Sequence, residues 1–593
     1  MSACLNRLLL LSGVAFASVV PAALAQAGPP RPDTPAPSIR VTTHMVLVDV
    51  VVTSKQGKAI LGLHPEDFVV EENGRAQKIS SLDTPAENAS ASVSQLPPGI
   101  YSNRPEYRSA GGPITIMLLD ALNTPYSDQA YARGQMLRFV KEQYKPKERM
   151  GVFTLTGPLS ELQDFTGDPQ ILYAALQGYK PLQREFTPIP ARTMENGAVD
   201  YPAPSGAPPT QDPVTGRTTV NSLDASSLPV SDSTLGGVAA SSGAVADAQA
   251  ALRYFETVAV SYADNERAVL TLNALNSLAR ILGGLPGRKN LIWVTGDLPF
   301  SFVPEDRTMS GDELAEDLPS LNTRRVGEHS AGNYAATFRQ SHAEEIRETA
   351  ARLSSAQIAV YPVDARGLSL SLAVDSQETM REVAQETGGR AYVNQNEIKF
   401  GVERAFEDES ADYTLGYYPQ NRKYDGKYRQ IKVKVKRDGV DIQSRRGYYA
   451  IDPTQMKGYN PQAAVVSALG DIVPSALIAF SAQVKPPPLN SVKDKIGVTF
   501  LVDANTVSAE DTPAGKHLNV AMYAMLYSSN GKILVSRSQK VDQSFDANTY
   551  QAILQHGLML HMDLDPQPGS NQLRLAVQDG RTGLVGTLYA PAP

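Results

Sequence analysis

Polar and apolar positions follow three different rhythms along the 593 residues. Ile39 to Val52 passes into a β-branched run that predicts a strand, and Lys55-Gln56-Gly57-Lys58 supplies a turn. Phe68 to Glu72 predicts a second strand, closed by Asn73-Gly74, a pair that tolerates positive φ. From Ile114 the rhythm changes to short continuous apolar runs separated by helical spacing. ITIMLL (114–119), GVFTL (151–155), NLIWV (290–294) and AQIAVYPV (356–363) suit strands buried on both faces. Residues 127–144, 246–282, 342–353 and 377–387 carry helical periodicity, the last closed by Gly388-Gly389. Beyond residue 412 strands return at 413–418, 428–436 and 440–449, with Asp438-Gly439 as a hairpin turn, and short strands recur between Lys495 and Ala590.

The middle alternation predicts an α/β fold class: a doubly wound, mostly parallel sheet over residues 112–411, flanked by β-rich segments. A β unit at 38–85 precedes it, and strands at 412–450 follow and are expected to pair with that unit, since two strands alone are marginal in water. A linker at 451–494 and a C-terminal antiparallel β-sandwich at 495–593 complete the division. Residues 181–245 are rich in Pro, Ser, Thr, Gly, Ala and Asp, which predicts a disordered insert.

The first residues change the picture. An apolar run from Leu8 to Val20 is followed by small residues at Ala23 and Ala25, so residues 1–25 read as a signal peptide cleaved after Ala25, with a flexible leader at 26–37. The run is too short to span a bilayer, and no later stretch does so, leaving a mature chain without a transmembrane segment. Cys4 precedes the apolar run, so the mature chain would hold no thiol; a periplasmic or secreted protein stabilised by packed cores alone is expected. The formal charge of −7 is mild, and nothing in it recruits nucleic acid.

In an open α/β sheet, ligands bind beyond the carboxyl ends of the parallel strands. Three such places carry oxygen ligands: Asp120 to Thr124 after ITIMLL, Thr166-Gly167-Asp168, and Thr295-Gly296-Asp297 after NLIWV. Here the sequence resembles the von Willebrand factor A domains. The resemblance implies a metal-ion-dependent adhesion site formed by Asp120, Thr124, Thr166 and Asp297, which would bind Mg²⁺ or Mn²⁺ and present it to a protein partner. Leu122 stands where the family has a serine and Asp297 is displaced by one residue, so the site is a degenerate one in which Asn123 substitutes for the missing oxygen. The alternative is that Asp120 and Thr124 cap the next helix.

More of the chain, nearly everything from about residue 40 to 450 except the insert, resembles the von Willebrand factor A-related proteins of acidobacteria. The matching stretches are Val48 to Lys78, LLDALNTP (118–125), PGRKNLIWV (286–294), YPVDARGL (361–368) and Tyr413 to Tyr449. The expected role is an exported, non-enzymatic protein-binding module of the adhesion type, whose strand-end surface includes Asp120, Thr124, Asp364 and Arg366. Asp364 and Arg366 equally suit a local ion pair. An accessory or scaffold factor for an exported enzyme complex is a second reading, and a hydrolase a third. Against enzymes, Gly283 to Asn290 lacks the Gly-Lys-Ser/Thr of a phosphate loop and precedes a strand, and there is no Gly-x-Ser-x-Gly. His556 and His561 lack the zinc-peptidase spacing.

Overall fold

The computed structural model describes residues 45–85, 96–108, 114–144, 149–182, 265–300, 330–367, 374–395, 398–409 and 411–593, apart from 453, 455, 457 and 488–494 and some two-residue fragments. The expected leader, its cleavage at Ala25 and nearly all of the 181–245 insert lie outside the described residues. Among those described, no helix is long and apolar enough to cross a membrane.

The chain opens with β1 (Val46–Ser54), β2 (Phe68–Glu72), β3 (Arg75–Gln77), β4 (Ile79–Asp83) and a short β5 (Ile100–Ser102). There follow β6 (Ile114–Asp120), α1 (Tyr126–Glu142), β7 (Arg149–Leu155), β8 (Leu159–Thr166) and α2 (Pro169–Gly178). Helix α3 (265–283) leads to β9 (Lys289–Thr295), α4 (Ser330–Ser355) to β10 (Ile358–Asp364), and α5 (Val374–Thr387) and α6 (Ile398–Glu409) come next. Strands β11 (Asp412–Tyr417), β12 (Tyr428–Val435), β13 (Val440–Ser444) and β14 (Gly447–Tyr449) precede α7 (Pro461–Leu469). The rest is β15 (Phe480–Lys485), β16 (Ile496–Val502), β17 (Ala509–Thr512), β18 (Gly515–Ser528), β19 (Ile533–Phe545), α8 (Ala547–His556), β20 (Leu558–Leu564), β21 (Ser570–Asp579) and β22 (Val585–Pro591).

The middle sheet has the order β10-β9-β6-β7-β8. Strands β10, β9, β6 and β7 are buried at nearly every position because both faces are covered, while the edge strand β8 is mostly half-buried. Ile116, Leu118, Leu291 and Trp293 meet Leu275 and Leu278 of α3 on one face, while Met117, Leu119, Ile292 and Val294 meet Met136 and Phe139 of α1 on the other. A doubly wound, mostly parallel fold is nevertheless the wrong description. Among the described residues, parallel strand pairing is confined to β10-β9-β6-β7, with one isolated parallel bridge between Val363 and Tyr392; β8 runs antiparallel, and the other four sheets of three or more strands are antiparallel throughout. The local reason is the turn 156–158, which folds β7 and β8 into a hairpin, whereas a parallel neighbour needs a crossover of a dozen or more residues. The molecule is mostly antiparallel β.

The strands before and after this sheet pair with one another. β1 lies between β11 and β13, with Val46 opposite Tyr417 and Val50 opposite Ser444, and β2 pairs with β12. Two four-stranded sheets thus enclose Val48, Val50, Val70, Leu415 and Ile431. Inside, Glu72 accepts hydrogen bonds from Tyr417 at 2.8 Å and Tyr448 at 3.1 Å, which satisfies a carboxylate that is only 3 % exposed. This unit docks on the amino ends of the middle strands. Arg288, just before β9, donates to Asp412 at 3.2 Å, the Tyr361 hydroxyl at 2.8 Å and the Gly388 carbonyl at 2.7 Å, and Gln357 donates to Asp49 at 2.8 Å.

The C-terminal strands form two antiparallel sheets around Phe480, Phe500, Leu518, Leu526 and Leu575. Residues 451–494 are not a linker: they carry α7 and β15, and β15 is an inner strand of one of these sheets. Its other neighbour is β5, with Tyr101 opposite Ala482. Asn103 secures the junction by donating to the Ser475 and Ile478 carbonyls at 2.7 and 2.9 Å and accepting from the Phe480 N–H at 2.8 Å. Gly284 is required here: a Cβ at that position would lie 2.1 Å from the Ala476 backbone. That close approach explains the glycine pair that superficially suggested a phosphate loop.

Candidate functional site

The carboxyl ends of β6, β9 and β10 finish level with one another, Leu119 opposite Val294 and Thr295 opposite Asp364. Each strand therefore delivers its terminal polar residue to the same place. Asp120 is 2 % exposed, and its Oδ1 accepts from the N–H groups of Leu122 at 3.1 Å and Asn123 at 2.9 Å. Its Oδ2 accepts from Asn123 Nδ2, Trp293 Nε1 and Thr295 Oγ1, all at 2.9 Å. Burial raises this carboxyl above the usual range, and the hydrogen bonds from Asn123, Trp293 and Thr295 oppose the rise.

Asn123 also donates to Thr271 Oγ1 at 3.0 Å, tying the loop to α3, and its own Oδ1 is buried without a hydrogen-bond partner. Thr124 Oγ1 accepts from the Gly296 N–H at 2.9 Å. Gln129, which sequence reasoning passed over, holds the loop from the other side by donating to the Thr124 carbonyl at 2.7 Å and the Ala121 carbonyl at 3.2 Å. It also accepts from the Leu182 N–H at 3.0 Å. Between Asp120, Thr124, Gln129 and Tyr179 lies a cavity of about 10 Å³, the room one water needs. Burial beside Asp120 pushes the Tyr179 hydroxyl up to about 12.

Asp297 accepts from the Leu298 N–H at 2.9 Å. Burial raises its carboxyl too, against the Ser376 hydroxyl and the Arg267 and Arg366 guanidiniums. Asp364 and Arg366 form a two-pronged ion pair at 2.8 and 2.9 Å, with Gln377 donating to the same carboxylate at 3.2 Å. Of the two readings the sequence leaves open for these residues, the local ion pair is the one whose geometry is present.

The structure therefore brings Asp120, Asn123, Thr124, Asp297, Asp364 and Arg366 to one strand-end face. Thr166 is elsewhere. Because β8 is antiparallel, Leu159 is level with Leu155 and hence with Asp120, whereas Thr166 sits opposite Met150, about 17 Å further down the sheet. Its hydroxyl accepts from the Asp168 N–H at 3.1 Å, at the start of α2. Nor do Asp120 and Thr124 cap α1, whose N-cap position is Pro125 with no side-chain hydrogen bond.

The structure does not assemble the complete set of cation ligands that the resemblance implies. An ionised carboxylate offers about four lone-pair directions, and five donors already converge on Asp120. Leu122 has no ligand atom and Thr166 is at the far end, while Thr124 accepts from Gly296 and Asn123 Oδ1 is left without a hydrogen-bond partner. Among the described residues no group of three or more His, Cys, Asp or Glu side chains is arranged to hold a metal. The missed signal was Trp293: as the single tryptophan, on the same face of β9 as Thr295, it could be read as a donor aimed at the end of β6.

No family model matches the chain, and no curated protein matches it. Among solved structures, the pilus adhesin SpaC from Lactobacillus rhamnosus GG aligns at 9% identity and a TM-score of 0.24, over 88% of this chain and 58% of that one. The chain thus spans little more than half the length of SpaC. Three N-terminal domains of the type V pili tip protein Mfa5 from Porphyromonas gingivalis align at 9% identity and a TM-score of 0.22, over 88% of this chain and 87% of that one. The human COPII-coat protein Sec24c aligns at 10% identity and a TM-score of 0.19, over 80% and 42%. Likenesses this loose establish neither a common fold nor a common role.

Proposed function

We propose that the chain is a non-enzymatic protein-binding module that acts outside the cytoplasm and engages its partner through the strand-end face. The observation that supports this reading is the contrast between floor and rim. The floor is a buried hydrogen-bonded network around Asp120 and Asp364 that positions the loops. The rim exposes Tyr126, 52 % accessible at the first turn of α1, and Leu182, 41 % accessible and held by Gln129 through both its N–H and its carbonyl. A rigid aromatic and an aliphatic side chain beside fixed polar groups is the composition of an interface anchor.

Chemical cross-linking in envelope extracts, with the wild-type chain and Tyr126→Ala/Leu182→Ser as baits, tests the reading. A defined partner captured by the wild type and lost by the variant, at equal melting temperature, is expected. Equal capture by both would remove this face from recognition, and hydrolytic turnover abolished by substitution of one strand-end residue would replace the reading with an enzyme.

A further inference from the structure

Independently of the strand-end face, we infer that the outer face of the β14-β12-β2-β3 sheet is a docking strip for a linear acidic polysaccharide. Along β12 the sequence IKVKVK alternates strictly, so Ile431 and Val433 enter the core while Lys432 and Lys434 face solvent, and Lys436 continues the same side just beyond the strand. Successive ammoniums in such a row recur about every 7 Å. Arg437 follows at its end, and all four cations are exposed. Glu71 on β2 meets Lys434 at 2.7 Å, and Lys436 donates to the Glu66 carbonyl at 2.9 Å; Lys432 is opposite Glu71 in register.

At the other end of the strip the loop 418–427 wraps the sheet margin. Gln420 bonds to Ala76 and Gln77 on β3, and the Lys423 carbonyl accepts from Arg429 at 3.1 Å. That loop displays Tyr418 and Tyr424, 44 % and 38 % accessible, together with exposed Arg422, Lys423 and Lys427. Two exposed tyrosines and three further cations on the loop that leads into a lysine-bearing strand make a basic, aromatic margin in a chain whose net charge is −7.

The occupant follows from that pairing. Carboxylate or sulfate groups repeating along a polymer meet several ammoniums at once, so weak single contacts add to useful affinity. The flat, partly apolar faces of sugar rings stack on tyrosines at the end of the row. An anionic membrane would meet the cations alone and a nucleic acid both the cations and the tyrosines, so both serve as comparators.

Purified full-length chain is titrated with heparin and with polygalacturonate across a salt series, beside charge-matched single-stranded DNA and phosphatidylserine vesicles. The expected result is salt-sensitive binding to one of the two polysaccharides, which also tells sulfate from carboxylate. Lys432→Gln/Lys436→Gln should weaken it about tenfold, Lys432→Arg/Lys436→Arg should restore it, and Tyr418→Ala/Tyr424→Ala should weaken it with an unchanged salt slope. No binding to either polymer at low salt, tighter binding to DNA or vesicles, or full affinity in the correctly folded glutamine variant would each overturn the inference.

Discussion

Five donors approach the two oxygens of Asp120 and make that side chain the keystone of the strand ends, and four of them would be stranded if the carboxylate were removed, since the Thr295 hydroxyl keeps the Asp297 carbonyl at 2.6 Å. Leaving buried donors unmet costs about 1–3 kcal/mol per group where water cannot enter. Asp120→Ala is therefore expected to lower unfolding free energy by about 3 kcal/mol or more, measured by denaturant titration. The same measurement with added Mg²⁺ or Mn²⁺ should leave both proteins unmoved, because a ligand stabilises only the state that binds it. A metal-dependent rise in the wild type alone would reinstate the cation. At this scale the sequence was informative about place and silent about use. Asp120, Asn123, Thr124, Asp297, Asp364 and Arg366 do share one face, but residue types cannot say whether an oxygen faces solvent or is already engaged by an indole N–H.

The elements themselves follow closely from periodicity. Continuous apolar runs became strands buried on both faces, and β12 alternates as a half-exposed strand should. Strand direction was the part that periodicity does not encode. The run ending at Thr166 was assigned the wrong end of the sheet because a hairpin and a crossover give the same local rhythm. The turn between α3 and β9 carries a further consequence. Lys289 is fully buried, donates to the Leu285 and Gly287 carbonyls at 2.7 Å, and burial depresses its ammonium to about 7. Above about 7 the folded chain holds this group neutral while the unfolded chain keeps the proton up to its ordinary 10.5, so stability must rise with pH across that window and be lost as pH falls toward 7. Lys289→Met should flatten the slope by up to about 1.4 kcal/mol per pH unit. Parallel stability–pH curves for the two proteins would show that the amine stays charged.

On the scale of the whole molecule, three bodies of β structure are stitched together by short polar links. The C-terminal sheets join the middle sheet through the Arg280–Asp471 pair at 2.7 Å, and they are completed by β5 and its neighbour Asn103. Asn103→Ala leaves two carbonyls and one N–H without their partner in a fully buried position. It should split a single thermal transition into two by calorimetry, the C-terminal sheets melting first. A variant that melts as one unit at the wild-type temperature would show that Asn103 contributes nothing to the coupling. None of this tethering was legible beforehand, since Ile100–Ser102 is three residues long and its partner lies in a stretch that reads as a linker.

That tether sets a timetable for biosynthesis. Ser102 leaves the ribosome long before Phe480, 378 residues later, and at roughly 5–20 residues per second the wait is on the order of half a minute. Throughout it β5 has exposed backbone with nothing to bind, and β1 likewise waits for β11 and β13. Neither antiparallel body can close before its last strands are made, so unpaired early strand edges persist through most of synthesis.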